Sequence, residues 1–158
     1  MKTELINREG LIEKLDQILQ HELAGVVRYT HYSFMIFGYS RIPVVSWFRG
    51  AANETLLHAT EAGEMITMLG GHPSLAIGSL LETHQHDMAE ILRESMTFEM
   101  EGVKLYRDLL TLAEQAGSIT LEEYARRLIA EEAVHISDID KMLRRPGDVE
   151  QAIKSDTP

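Results

Sequence analysis

The sequence predicts an all-α fold: a bundle of four long helices with one long crossover between the second and third. Three observations predict it. Apolar residues recur at steps of three and four through four separate segments, the spacing of one helical face. Clusters of Gly and Pro fall between those segments, and no stretch reads convincingly as a strand. At 158 residues, the chain has room for one domain with a full core but not comfortably for two.

The first helix is expected from about Asn7 to Phe37, with the stripe Ile12, Leu15, Leu19, Glu22, Val26, Tyr29, Ser33. The second follows a turn at Gly38 to Pro43 and reaches Leu69. Its stripe is Phe48, Ala51, Thr55, His58, Ala62, Met65, Leu69, and Gly70-Gly71-His72-Pro73 stops it. The third begins near Ser79 or Thr83 and continues to about Gln115 on Met88, Leu92, Ser95, Glu99, Gly102, Tyr106, Leu109. The fourth opens on a capping box, Thr120-Leu121-Glu122-Glu123, in which Glu123 returns a bond to the Thr120 backbone. Its stripe is Leu121, Ala125, Leu128, Glu132, His135, Ile139, Met142, and Pro146-Gly147 ends it. Residues 1–147 thus make the bundle and 148–158 a short polar tail.

Links of roughly five to eight residues join the first helix to the second and the third to the fourth, as suits antiparallel neighbours. The link from Gly70 to about Glu82 is longer. At ~3.3 Å per residue it spans ~40 Å, nearly the length of a 27-residue helix, so it can cross the bundle and set the third helix parallel to the second. A long hairpin loop satisfies the same sequence.

Composition removes several function classes. Without cysteine there is no disulfide framework, thiolate zinc site or cysteine nucleophile, which suits a reducing cytoplasm. Met1-Lys2-Thr3-Glu4 carries an acidic residue where a signal peptide would carry its apolar run, and no apolar run approaches the ~20 residues of a membrane span. A cytoplasmic protein is expected. The net charge of −10 argues against nucleic-acid binding, which relies on clustered Lys and Arg, and favours attraction of cations.

The informative residues are the polar ones on core stripes. Glu22, Glu99 and Glu132 sit at stripe centres, as do His58 and His135. A desolvated carboxylate either takes up a proton or finds positive charge. One buried Glu commonly means an interhelical ion pair, and one buried His a satisfied core histidine. Here three carboxylates and two imidazoles recur, with Glu132 and His135 placed as Glu-x-x-His on one face. That joint pattern favours two divalent cations, and oxygen and nitrogen donors without sulfur favour iron or manganese, with zinc also acceptable. His21, His31, His72, His84 and His86 fall off the shared stripes or in the crossover and add little; His84 and His86 are candidates for iron at a surface, with solvated polar residues the better reading. Tyr29 and Tyr106 either hydrogen-bond a ligand carboxylate or simply pack.

Over about residues 5–145 the chain resembles a bacterioferritin, within the ferritin-like di-iron superfamily. The resemblance rests on His21-Glu22-Leu23-Ala24 with Tyr29 beyond, His58-Ala59, Phe98-Glu99-Met100-Glu101-Gly102 and Ile129-Ala130-Glu131-Glu132-Ala133-Val134-His135. It implies a ferritin-like bundle, with Glu22, His58, Glu99, Glu132 and His135 as di-iron ligands that also carry the chemistry. It further implies Fe(II) oxidation by O2 or peroxide, storage of ferric iron, and a homo-oligomer of at least a dimer.

Three positions depart from the family pattern. The bridging Glu of the second helix is replaced by Thr55, leaving Glu54, and after it Glu61, as substitute ligands. Leu56 stands where the haem-binding Met would be, so no haem is expected. The tail offers only Val149, Ala152 and Ile153 for a cage-closing fifth helix. The rival readings are a ferritin-like di-metal oxidase without a cage, a degenerate structural relative, and the DNA-protecting Dps class. The last ranks lowest, since no basic arm is present and the ligand pattern is internal to one bundle.

Overall fold

The computed structural model describes residues 2–152, with side chains from residue 7 onward; Ile153 and the rest of the tail lie outside the described residues. Among these residues there are four helices and no strand: α1 Lys2–Phe34, α2 Arg41–Met68, α3 Met88–Ala116 and α4 Ile119–Leu143. None is long and apolar enough to cross a membrane. Residues 148–152 carry no helix or strand.

Contacts between side chains fix the directions. Arg8 near the start of α1 holds the carbonyls of Leu69 and Gly70 beyond the end of α2, while Ser33 near the end of α1 accepts from Arg49 early in α2. These two helices are therefore antiparallel. On α3, Glu94, Glu99 and Tyr106 meet Tyr32, Tyr29 and Glu22 of α1 in reverse order, so α3 is antiparallel to α1 and parallel to α2. The crossover, not a hairpin, makes that arrangement. It climbs α1, with Ser74 N–H on Asp16 (2.9 Å) and Gly78 N–H on the Gln20 carbonyl (2.8 Å).

Several boundaries differ from those read in the sequence. The third helix begins at Met88, not near Ser79 or Thr83. The side chain of Asp87 accepts from the Ala89 N–H with extended backbone angles, an N-cap that sets the start. Leu80 and Leu81 prolong the apolar pattern but lie exposed on the crossover. The turn before α2 ends sooner than Pro43, which sits inside the first helical turn, where its missing N–H costs nothing.

The α3–α4 link is only residues 117–118, shorter than expected. Gly117 at φ 67° and the Ser118 N–H to Ala113 carbonyl bond (2.9 Å) close α3 in a left-handed cap, and α4 starts directly after. The capping box does not form. Ser118 is the N-cap residue, without a side-chain cap bond, Thr120 is already helical, and Glu123 pairs with Arg126 at 3.1 Å.

The core is split in two. One apolar cluster, around Leu15, Ile18, Ile66, Leu109, Leu121 and Leu128, fills one end of the bundle. The other, around Tyr29, Phe48, Ile91, Leu92, Phe98 and Ile139, fills the opposite end. The polar residues of the stripes occupy the layer between them.

Gly25 shows how tightly that layer is shut. A Cβ at this position would lie 2.7 Å from both Phe98 Cζ and Thr55 Cγ2. Replacing a mid-helix Gly by Ala ordinarily stabilises by ~1 kcal/mol. Here Gly25→Ala is expected to destabilise by about 1–3 kcal/mol through overpacking, read as a lower urea midpoint with an unchanged slope.

Candidate metal centre

Each helix contributes to the central layer. Glu22 comes from α1, His58 from α2, Glu99 from α3, and Glu132 and His135 from α4. The first four side chains are 2–4% exposed, far below the norm for a carboxylate. His58 Nδ1 lies 2.9 Å from Glu132 Oε1 and 3.8 Å from Glu22 Oε1. His135 Nδ1 lies 3.5 Å from Glu132 Oε2 and 4.0 Å from Glu99 Oε2. The donor atoms therefore form two buried triads, Glu22–His58–Glu132 and Glu99–Glu132–His135, each with its donor atoms within 4.8 Å of one another, and a third, Glu54–His58–Glu131, meets the same distance on the outer side of His58. Glu132 belongs to both buried triads.

Both histidines turn Nδ1 inward and Nε2 outward. His58 Nε2 meets Glu131 at 3.1 Å, and His135 Nε2 meets Glu54 at 2.8 Å. Arg127 pairs with Glu131 at 3.0 Å and also binds Glu61. Tyr29 donates to Glu99, and Tyr106 donates to Glu22 at 2.7 Å, which resolves the ambiguity of both tyrosines in favour of a polar contact.

The structure thus gathers Glu22, His58, Glu99, Glu132 and His135 into one cluster and places Glu54 on its rim, against the outer edge of His135. Glu61 is held by Arg127 outside it. Thr55, 3% exposed on the same helix as His58, brings no carboxylate to the layer.

Glu131 escaped the sequence reading. It stands one place before Glu132, off the buried stripe, and forms an i,i+4 pair with Arg127, so its pattern is that of a solvated helix face. Its contact across helices to His58 has no signature in spacing.

Charge in this layer is unevenly distributed. Burial, reinforced by the Glu132 charge, pushes the Glu22 carboxyl up to about 8. Burial and the Glu132 contact likewise raise Glu99 well above the usual carboxylate range. Burial would raise Glu132 too, but bonds from the Glu99 carboxyl and both imidazoles hold it far below that range. For His58, burial opposes the proton, yet Glu132, Glu22 and Glu131 together lift it to about 9. His135 is raised against its burial by Glu132 and Glu54. Glu132 is therefore held in its ionised form, while Glu22, Glu99, His58 and His135 around it are all shifted toward their protonated forms.

The four groups shifted toward protonation mark the positions where two divalent cations would supply four positive charges. The side chains fit such ions on two counts. His58 Nδ1 is fully buried between two carboxylates, 2.9 Å from Glu132 and 3.8 Å from Glu22, and on losing its proton it would present a lone pair to the space they share. The outer nitrogens rest on carboxylates, which orients an imidazole for a metal at its other edge. Oxygen and nitrogen donors alone suit iron, manganese or zinc.

Residues 12–146 match the ferritin-like domain family. Among solved structures, the chain is similar to a ferritin-like di-iron-carboxylate protein from Bacillus anthracis, at 25% identity and a TM-score of 0.83, over 87% of this chain and 98% of that one. It is similar to the bacterioferritin of Rhodobacter capsulatus, at 22% identity and a TM-score of 0.78, over 85% and 84%. A Dps from Thermosynechococcus elongatus aligns at 16% identity and a TM-score of 0.85, over 94% and 99%. At such identities the last two likenesses show the fold alone.

Proposed function

This chain belongs to the ferritin-like domain family, and from that premise we propose that it takes Fe(II) as substrate into the buried cluster and oxidises it with O2 or peroxide, retaining ferric iron. The observation that carries this reading is the pair of triads sharing Glu132. Two ferrous ions supply two electrons, enough to reduce O2 to hydrogen peroxide or hydrogen peroxide to water. Anionic oxygen donors favour the trivalent ion over the divalent one, which draws the oxidation forward.

In this assignment Glu22 and Glu99 are terminal carboxylates, each steadied by a tyrosine hydroxyl, and Glu132 is the bridge. His58 and His135 bind through Nδ1. Glu131 and Glu54 accept the opposite N–H and fix each ring's tautomer and tilt. Glu54, a candidate substitute for the carboxylate absent at Thr55, is then a positioning residue of His135. Leu56 leaves no methionine for haem at the family position, and the proposal includes none. A homo-oligomer and a cytoplasmic setting complete it.

Aerobic Fe(II) loading in small increments, followed by desalting and an iron count, tests the proposal. Retention far beyond two ions per chain supports storage. A plateau at two with rapid oxidation leaves the cage-less di-metal oxidase. No oxidation at all leaves the degenerate relative and refutes the proposal.

Thr55 is the observation that favours those weaker readings, because three carboxylates face the charge of two divalent cations. Thr55→Glu is expected to tighten the second metal about tenfold, within the range reported for single changes around metal sites, as read by calorimetric titration. An unchanged or weaker second site would mean that Glu54 already supplies the missing charge.

A further inference from the structure

Outside the buried cluster, a second group of metal-ligating side chains converges where the crossover passes the end of α1. His31 comes from the last turn of α1, and Glu82 and His86 from the crossover. The Glu82 carboxylate divides between them, with Oε2 2.7 Å from His31 Nε2 and Oε1 3.3 Å from His86 Nε2. One donor atom from each residue lies within 4.8 Å of the others. The carboxylate is also oriented by the backbone, because the His84 N–H donates to Oε1 at 2.6 Å.

We propose that His31, Glu82 and His86 form a surface site for one divalent transition cation, distinct from the buried cluster, which clips the crossover to α1. Three features carry the inference. The donors are two imidazoles and one carboxylate, a set suited to zinc and its neighbours in the first transition row. Their separations also suit a shared ion. Bonds of ~2.1 Å in a tetrahedron put donors roughly 3.4 Å apart, within a few tenths of the His86–Glu82 distance and a short adjustment from the His31 one. Finally, the alternative of plain hydrogen bonds at a half-exposed site contributes little, since such pairs are worth about 0–1 kcal/mol.

The two sites share no residue. His31 lies nine residues beyond Glu22, roughly 13 Å further along α1 at 1.5 Å per residue. With three protein donors and exposed surroundings, the fourth position is open to water, so the ion exchanges with solvent.

The clip has a structural consequence. Residues 71–86 have no regular secondary structure, and in this stretch few bonds return to α1. A cation held jointly by His31 and the two crossover residues adds a link across that gap and orders the approach to α3.

The test is equilibrium dialysis of the full chain against low-micromolar Zn(II), with a zinc count per chain and amide exchange over residues 79–88. The protein is compared with the His31→Ala/His86→Ala double variant and with Glu82→Gln, which keeps the side chain's size. Both variants are expected to hold one zinc fewer per chain, and zinc to slow exchange over residues 79–88 in the unmodified protein but in neither surface variant. Glu132→Gln, which strikes the buried cluster, is expected to retain the surface ion and its protection. Equal zinc counts in all surface variants, or a count that falls without any change in crossover exchange, would overturn the proposal.

Discussion

Glu132→Gln is expected to slow aerobic Fe(II) oxidation by on the order of 100-fold or more while leaving helix content unchanged. The expectation follows from the position of this carboxylate. Its two oxygens face different imidazoles, His58 at 2.9 Å and His135 at 3.5 Å, and it is the only member of both buried donor triads. Glutamine preserves the volume and one acceptor but removes the charge. Its amide also presents a donor toward an imidazole nitrogen, so it cannot bridge two cations. Loss of a positioning carboxylate alone ordinarily costs 10–100-fold in metal affinity or activity, and a shared ligand stands above that range. Glu131→Gln, which removes only the outer acceptor of His58, is the natural comparison. If Glu132→Gln oxidises Fe(II) at the original rate, the reaction occurs elsewhere and the proposed function falls.

The fold was largely legible because its determinants are periodic. The stripes that predicted four helices follow the buried faces of α1 to α4, apart from the exposed Met88 and several half-buried positions, and the length of the crossover already allowed the parallel setting of α2 and α3. What escaped was local competition. Leu80 and Leu81 continue a helical apolar pattern, but Asp87 supplies a cap further on and Glu82 binds the turn at His84. Ser118 pre-empts Thr120 because Gly117 reverses the chain immediately before it. The five central polar residues were visible because a charge on an apolar stripe demands an explanation. Glu131, Arg127 and the outward role of Glu54 were not, since each sits on a polar helix face and acquires its meaning only from the helix opposite.

That same charge accounting leads to a pH dependence opposite to that of most proteins' ionisable pairs. Metal-free protein is expected to be most stable in acidic solution, near the ordinary carboxylate range of about pH 4–5, and to lose stability steadily toward pH 9. His58 titrates at about 9 in the folded protein against ~6.5 unfolded, so its contribution is complete below 6.5 and vanishes as pH rises through 9. His135 shifts in the same direction. Glu22 titrates at about 8 against ~4.3 unfolded. Between those values only the unfolded chain ionises, so folding again weakens as pH rises, and Glu99 adds to the effect. Glu132 acts on the other side. Its depressed value supplies stability above the ordinary carboxylate range that is lost as pH falls below it. The His58 shift corresponds to on the order of 3 kcal/mol and the Glu22 shift to about 5 kcal/mol, and they are not additive, because both groups face the same Glu132.

Divalent metal should invert the trend. A bound cation replaces the protons of the four raised groups, so binding releases protons and strengthens as they become scarcer. Stability of the loaded protein should therefore hold or rise from pH 5.5 to 8.5 while that of the chelated protein falls. Denaturation midpoints across that interval, with chelator and with saturating metal, measure both curves. A chelated protein more stable at pH 8.5 than at 5.5 would mean that the four protons do not reside in the layer between the two apolar cores. The charge argument for two cations at Glu22, His58, Glu99, Glu132 and His135 would then lose its basis.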